Sequence, residues 1–198
     1  MSTYRQNGFF NHISMQAKIL AACVTMMWLT ECVDFLLGGA LNQLGIVPRQ
    51  LIGLRGMVFA PFLHLDFAHL LANTPPFICL GWFVMLRRTS DFYTVTAMVM
   101  LIGGLGTWLI AAPNTVHIGA SGVVFGYLGF LISRGYFERS VLSILLSLAI
   151  GFVYGGLIWG VLPGQSGISW QGHLCGFIGG VMMARLLGKR TGRGGWIA

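Results

Sequence analysis

The sequence predicts an all-helical membrane protein, a bundle of six transmembrane helices. Of its 198 residues, 56% are hydrophobic and only 9% are charged. A soluble domain typically carries about 25% charged residues, so this chain lacks the charged shell that a soluble enzyme needs. The same composition excludes a disordered chain, which combines low hydrophobicity with high net charge. The apolar residues also fall into six long stretches that take up most of the chain.

Each apolar stretch is predicted as one span, because a helix needs about 20 mainly apolar residues to cross the hydrocarbon core. The expected spans are 18–38, 67–86, 92–112, 119–133, 141–162 and 171–187. The fourth is short, which suits a helix that starts below the membrane surface and is surrounded by protein. This divides the chain into an N-terminal tail (1–17), a helical core (18–187) and a basic C-terminal tail (188–198).

The first loop, about 39–66, is the only long one that we expect. It is too apolar for a solvated linker and too interrupted by Gly and Pro for a span, so we expect it to lie partly in the outer leaflet. In the second span, Pro75 and Pro76 should kink the helix or interrupt its hydrogen bonding.

The basic residues predict the orientation of the bundle. Lys and Arg number 12 against 5 Asp and Glu, and they lie in short clusters between apolar runs. That distribution is typical of a topology signal and predicts no nucleic-acid partner. Only two of the 12 basic residues, Arg49 and Arg55, lie on the side of the first loop. The other ten lie in the tails and in the second and fourth loops, at positions 5, 18, 87, 88, 134, 139, 185, 189, 190 and 193. Because basic residues accumulate on the cytoplasmic side, we expect both termini in the cytoplasm.

Reactive side chains lie near one end of three predicted spans. The second, fourth and sixth spans all run from outside to inside in this topology. His69 and Asn73 lie in the first turns of the second, Ser121 in the first turn of the fourth and His173 in the first turn of the sixth. Polar groups in membrane spans are costly, and these four are expected at one depth near the outer face.

Ser and His together suggest nucleophilic catalysis, with His173 as general base for the Ser121 hydroxyl. Asn73 follows His69 by four residues, so both point the same way and can donate to an oxyanion. The backbone N–H of Ser121 adds a donor, because the first N–H groups of a helix are unpaired. The dipole of the sixth helix favours a neutral His173 ring, and Phe125 is placed to stack on it.

The glycines of the fourth and sixth spans recur at helical spacing, which favours close contact between two helix backbones. They are Gly122, Gly126, Gly129, Gly172, Gly176, Gly179 and Gly180. The four cysteines (Cys23, Cys32, Cys79 and Cys175) lie in apolar runs without metal-ligand spacing. We therefore expect no metal, no cofactor and no disulfide framework.

Two carboxylates in the first span allow a different interpretation of the function. Glu31 and Asp34 lie on one face of the helix, as in a proton-coupled transporter. We favour a structural role in which they hydrogen-bond the first loop near the outer interface, with Arg49 or Arg55 as candidate partners. The internal repeats common in transporters are not found in this sequence.

Three segments together resemble the rhomboid family of intramembrane serine proteases. They are HLDFAHLLAN at 64–73, GASGVVFGYLG at 119–129 and GHLCGFIGG at 172–180, in the order of the family. The resemblance covers nearly the whole chain and implies a minimal six-helix core of the bacterial type. Two features differ from the common family pattern: Phe125 stands where Tyr is usual, and the first-loop segment GLRG holds Arg55 without a Trp.

The resemblance implies a role for each matching residue. Ser121 matches the nucleophile and His173 the base of a dyad that has no acidic third member. Asn73 and His69 match oxyanion-stabilising positions, and His64 matches a structural histidine that ties the first loop to the helix. Supporting positions are Gly119, Gly122, Phe125, Gly176 and Gly180.

The resulting prediction is a multi-pass serine endopeptidase of a bacterial cytoplasmic membrane. It would cleave the transmembrane segments of single-span proteins near the outer face, through an acyl-enzyme. We expect a monomer in the lipid bilayer to suffice for catalysis. Two alternatives stay open: a rhomboid-like protein that binds helices without cleaving them, and a six-helix proton-coupled transporter that uses Glu31 and Asp34.

Overall fold

A computed structural model of the chain describes residues 2–164 and 167–191, with side chains described for 10–164 and 167–188. These residues form α1 (Ser2–Leu36), α2 (Gly56–Phe59), α3 (Phe67–Met85), α4 (Thr89–Ile110), α5 (Ser121–Glu138), α6 (Val141–Tyr154) and α7 (Trp170–Thr191). A 3₁₀ segment, Gly155–Val161, continues α6. Most of the predicted C-terminal tail (192–198) and residues 165 and 166 of the loop before α7 lie outside the described residues.

The all-helical class is confirmed, and a helix lies at each of the six predicted spans. Among the described residues, four helical stretches are long and apolar enough to cross a membrane: Phe10–Leu36, Phe67–Met85, Thr89–Ile110 and Val141–Val161. The other two long helices, α5 and α7, contain glycines and charged residues. A helix surrounded by protein needs less apolar surface, and 11 of the 18 residues of α5 are buried. The number of crossings therefore stays a prediction.

Helix α5 is the centre of the bundle and packs against α3, α4, α6 and α7. Its contact with α7 is made by the backbones themselves. A methyl group added at Gly176 would overlap the carbonyl of Gly122, and one at Gly180 would overlap the carbonyl of Gly126. These positions therefore accept only glycine if the two helices keep this distance.

Helix α5 is longer than predicted because its charged residues are buried in a network. The predicted span ended at 133, before Arg134, whereas the helix continues to Glu138. Arg134 Nε lies 2.8 Å from Glu138 Oε1, and Arg87 lies 3.0 Å from the same oxygen. The hydroxyl of Ser143 donates to the other carboxylate oxygen at 2.5 Å. Both arginines contact this one carboxylate, and these ion pairs let the last turn of α5 stay helical among its neighbours.

Helix α1 is also longer than predicted, since most of residues 1–17 are helical. Gln16 explains part of this extension. Its side-chain amide is buried and donates to the carbonyl of Met85 and to the hydroxyl of Thr89, both at 3.2 Å. These bonds attach α1 to the junction of α3 and α4.

The first loop is held by backbone and side-chain hydrogen bonds. Asp34 accepts the N–H of Leu41 at 2.6 Å, so this carboxylate does bond the first loop. The expected partnership with arginines is not found in this part of the structure. Arg49 and Arg55 donate to backbone carbonyls instead, and neither forms an ion pair with Glu31 or Asp34.

Candidate active site

The first loop fixes the turn that begins α5. The N–H of Gly119 donates to the carbonyl of Ala60 at 2.9 Å, and the N–H of Ala120 donates to His64 Nε2 at 3.3 Å. His64 is fully buried. Burial, and secondarily the neighbouring His69, lower the pKa of His64 to about 4. The ring is therefore neutral at pH 7 and its lone pair can accept this bond.

The backbone of Gly119 lies close to the side chains of both His69 and Ser121. Its φ is +112°, a conformation that favours glycine. A methyl group here would lie 2.9 Å from His69 Cε1, 3.0 Å from His69 Nε2 and 3.6 Å from Ser121 Oγ. His69 Nδ1 accepts the N–H of Leu65 at 3.4 Å. A neutral His69 ring then carries its hydrogen on Nε2, which lies close to Gly119.

Ser121 and His173 are hydrogen-bonded across α5 and α7. The distance from Ser121 Oγ to His173 Nε2 is 2.8 Å. Phe125, one turn further along α5, stacks on the His173 ring with centroids 4.1 Å apart and planes 7° from parallel. The other ring nitrogen, Nδ1, lies 2.9 Å from the carbonyl oxygen of Gly160. The imidazole is thus held at both nitrogens and on one face.

Asn73 lies beside this pair on α3 and is 6% exposed. Its Nδ2 donates to the carbonyl of His69 at 2.9 Å, one turn back in its own helix. An amide nitrogen carries two hydrogens, so this bond uses one of the two donors.

An open cavity of about 930 Å³ joins the residues that the sequence singled out. Ser121, His173, His69, Asn73 and Phe125 all line it, together with Trp159 and Gly160 of the 3₁₀ segment. Its volume is in the range of ligand-binding clefts. The other predicted residues are not among those that line it: His64 and Gly119 beside the turn before α5, Gly122, Gly176 and Gly180 at the α5–α7 contact, and Glu31 and Asp34 on α1. No group of three or more His, Cys, Asp or Glu in the described ranges could hold a metal ion.

The structure contains a second Ser–His pair that the sequence does not predict, formed by Ser169 and His117. Ser169 Oγ lies 2.6 Å from His117 Nδ1, and the other nitrogen of His117 lies 2.8 Å from the hydroxyl of Thr115. Burial lowers the pKa of His117, which favours the neutral ring. Ser169 also accepts the N–H of Gly172 at 3.3 Å, so it acts as a cap for α7. Its position just before a helix was the only available signal, and His117 gave none.

Comparison with known proteins gives the family. The Rhomboid domain matches residues 51–190. An uncharacterized protein of Mycobacterium tuberculosis is 45% identical over 172 residues, which cover 83% of this chain and 72% of that protein. "RHOMBOID-like protein 5" of Arabidopsis thaliana is 30% identical over 152 residues, 63% of this chain and 48% of that protein. "Putative rhomboid protease YdcA" of Bacillus subtilis is 27% identical over 137 residues, 66% of each chain. The chain therefore belongs to the rhomboid family, and the four long apolar helices in its described part mark it as an integral membrane protein.

Proposed function

We propose that this protein is an intramembrane serine endopeptidase in which Ser121 is the nucleophile and His173 the general base. The observation that carries the proposal is the 2.8 Å contact between Ser121 Oγ and His173 Nε2 beside an open cavity. The protease named among the relatives supports the same reaction class.

The first step is attack on a peptide carbonyl. A backbone carbonyl only accepts hydrogen bonds, so His173 Nδ1 donates to Gly160 and Nε2 carries the lone pair. Nε2 takes the proton of the Ser121 hydroxyl while Oγ bonds to the carbonyl carbon. The π electrons of the carbonyl move to its oxygen, which becomes the oxyanion of a tetrahedral intermediate.

The second half of the reaction returns the proton. The C–N bond breaks, and His173 gives its proton to the leaving amine, which leaves an acyl group on Ser121. A water molecule then gives one proton to His173 and attacks the ester carbon. Collapse of the second intermediate releases the acid product and restores the Ser121 hydroxyl. Phe125 holds the ring plane through both halves by stacking.

The oxyanion is proposed to bind donors from two helices. The N–H of Ser121 lies at the start of α5, where helical N–H groups lack intrahelical partners. Asn73 supplies the N–H that does not bond to its own helix, and His69 supplies Nε2–H. Each donor removed from an oxyanion hole typically lowers kcat by about 10²–10³.

The proposed substrates are single-span membrane proteins cut near the outer face of a bacterial cytoplasmic membrane. We propose six crossings with both termini in the cytoplasm, and a monomer as the active unit. A transmembrane helix hides its carbonyls in i to i−4 hydrogen bonds, so the substrate must unwind locally before Ser121 can attack. Gly or Pro near the cut lowers that cost, by about 1 and 3 kcal/mol on scales measured in water.

Labelling with a serine-reactive fluorophosphonate tests the nucleophile. We expect the wild-type protein in detergent to be labelled on Ser121, and Ser121→Ala and His173→Ala to lose both the label and cleavage of a membrane substrate in liposomes. Ser169→Ala is the matched control, because Ser169 also contacts a histidine at 2.6 Å but caps a helix. That variant should keep the label.

Two results would contradict the proposal. Full cleavage by Ser121→Ala would exclude Ser121 as nucleophile. A label that is lost in Ser169→Ala but kept in Ser121→Ala would assign the chemistry to the pair of Ser169 and His117. A wild-type protein that binds substrate helices with neither label nor cleavage would favour the helix-binding alternative.

A further inference from the structure

The His173 ring is held from two directions by parts of the chain that differ in burial. Helix α5 provides Ser121 and Phe125, which contact Nε2 and the ring face. The 3₁₀ segment after α6 provides the carbonyl of Gly160, 2.9 Å from Nδ1. The candidate base therefore depends on a segment outside the α5–α7 pair.

The Gly160 bond determines which tautomer His173 adopts. Because a carbonyl oxygen cannot donate, Nδ1 must carry the hydrogen, and in a neutral ring Nε2 is then free to accept a proton. In the Ser-His-Asp arrangement a carboxylate does this work, and loss of the correct tautomer there lowers kcat by about 10⁴. Here a neutral backbone oxygen occupies the corresponding position.

Position 160 has room for glycine only. A methyl group added there would lie 2.8 Å from Phe125 Cζ and 3.2 Å from His173 Nδ1. Ordinary carbon contacts are about 3.5–4.0 Å, so an alanine would push the segment away from the stacked rings. The backbone of Gly160 has no positive φ, so available space and not conformation explains the residue.

The 3₁₀ segment is poorly anchored compared with α5 and α7. None of its seven residues is buried, and Trp159 is 65% exposed. Helix α6 before it buries only Ser143 and Ile150, and Phe152 is 92% exposed. The hydrogen bonds of a 3₁₀ helix are also weaker than those of an α-helix. Displacing this segment therefore requires the loss of few contacts.

We propose that Gly160 is a positioning residue whose carbonyl sets the tautomer of His173, so that the base forms only when the 3₁₀ segment lies against α5. The proposal rests on the serine-protease function proposed above. It implies that the movement that admits a substrate helix past α6 also releases His173 Nδ1. Proton transfer then requires the segment to return after the substrate has entered the cavity.

The test compares Gly160→Ala with Gly155→Ala in the full-length protein. Gly155 begins the same 3₁₀ segment in a helical conformation, and a methyl group there would have no atom within 4 Å. We expect Gly160→Ala to lower kcat about tenfold or more with little change in KM. The variant loses a hydrogen bond that orients the His173 ring, and this ring acts in the chemical step and not in substrate binding. Gly155→Ala should retain wild-type kcat and KM.

Nitrogen-15 NMR of the histidine rings gives a readout that does not depend on activity. In wild-type protein, His173, assigned by its loss in His173→Ala, should show the tautomer with hydrogen on Nδ1. That preference should weaken in Gly160→Ala and persist in Gly155→Ala. Measurement on the wild type keeps the test decisive even if Gly160→Ala folds poorly.

Either of two results overturns the inference: hydrogen on Nε2 in the wild-type ring, or wild-type kcat in a folded Gly160→Ala. Both differ from failure of the proposed function, in which wild-type protein would show neither fluorophosphonate label nor cleavage.

Discussion

Helices α5 and α6 follow one another in the chain, yet they occupy opposite environments. Helix α5 buries 11 of its 18 residues, whereas α6 buries 2 of its 14 and its 3₁₀ continuation none. Helix α5 has glycines where α7 approaches it, and α6 presents large apolar side chains outward. In a membrane protein such an outward apolar face is stable against lipid.

This difference suits the proposed function, which needs a closely packed catalytic pair beside a cavity that a substrate can enter. Ser121 and His173 lie on α5 and α7, whose backbones touch through glycine, so their separation is fixed by close contacts. The cavity beside them is lined partly by the 3₁₀ segment, none of whose residues is buried. The three predictions that follow change one region at a time, beginning with the largest expected effect.

Immobilising α6 should abolish cleavage of membrane substrates. The hydroxyl of Tyr154, at the end of α6, lies beside the thiol of Cys79 on α3. A Tyr154→Cys variant joined to Cys79 by a short, reducible bis-thiol reagent should lose cleavage in liposomes and regain it on reduction. The fluorophosphonate is small and should still label Ser121 in the crosslinked sample.

That retained label shows that the site itself is intact. Full cleavage by a quantitatively crosslinked sample would exclude movement between α3 and α6 as the route of substrate access. The uncrosslinked variant and the wild type treated with the same reagent are the controls, because the chain has three further cysteines.

Adding a methyl group should destabilise α5–α7 and leave α6 unharmed. In Gly180→Ala the new carbon overlaps the carbonyl of Gly126, and overpacking of this kind costs about 1–3 kcal/mol of unfolding free energy. In Gly151→Ala, within α6, it has no atom within 4 Å. Since Ala is a better helix former by about 0.5–1 kcal/mol, that variant should be as stable as wild type or more so. Thermal unfolding in micelles compares them; equal midpoints would refute the rigid contact.

The smallest effect concerns pH and the turn that begins α5. His64 has a folded pKa of about 4 against an ordinary value of 6.5. Below pH 6.5 the unfolded chain binds more protons than the folded one, so stability is present above this pH and is lost as pH falls toward 4. Between pH 7 and pH 5.5 the loss should be about 1 kcal/mol.

His64→Gln keeps a hydrogen-bond acceptor for the N–H of Ala120 but does not titrate. Its unfolding midpoint should therefore depend less on pH over this range than that of the wild type. The same pH dependence in both proteins would mean that His64 is not the titrating group.

The fold class followed from the sequence because hydrophobic length is a local property. A helix lies at each of the six apolar stretches, with ends near the predicted residues for α3, for α4, and for α6 together with its 3₁₀ continuation. The predicted end of α5 was wrong because Arg134 and Glu138 are charged. Charged residues in a sequence are equally consistent with a loop and with a buried ion pair. Arg87, which completes that pair, is 51 residues away from Glu138 in the chain.

The candidate site divides in the same way. Sequence singled out Ser121, His173, His69 and Asn73 because reactive side chains in apolar spans are rare, and rarity is visible without coordinates. Nothing in the sequence singles out Gly160 or His117. A backbone carbonyl has no side-chain signature, and a histidine in a short loop becomes informative only when its partner is known.

The sequence alone is enough to predict a helical membrane protein with glycine-lined helices and reactive residues at the starts of three of them. These properties depend on residue type and helical spacing. Which atoms come into contact depends on the folded chain: the 2.8 Å contact of Ser121 with His173, the Gly160 carbonyl at Nδ1 and the first-loop bonds that hold the turn before α5. The physical reason is that a hydrogen bond requires its two atoms within about 3 Å, whereas these partners are separated by 52, 13 and 56 residues in the chain.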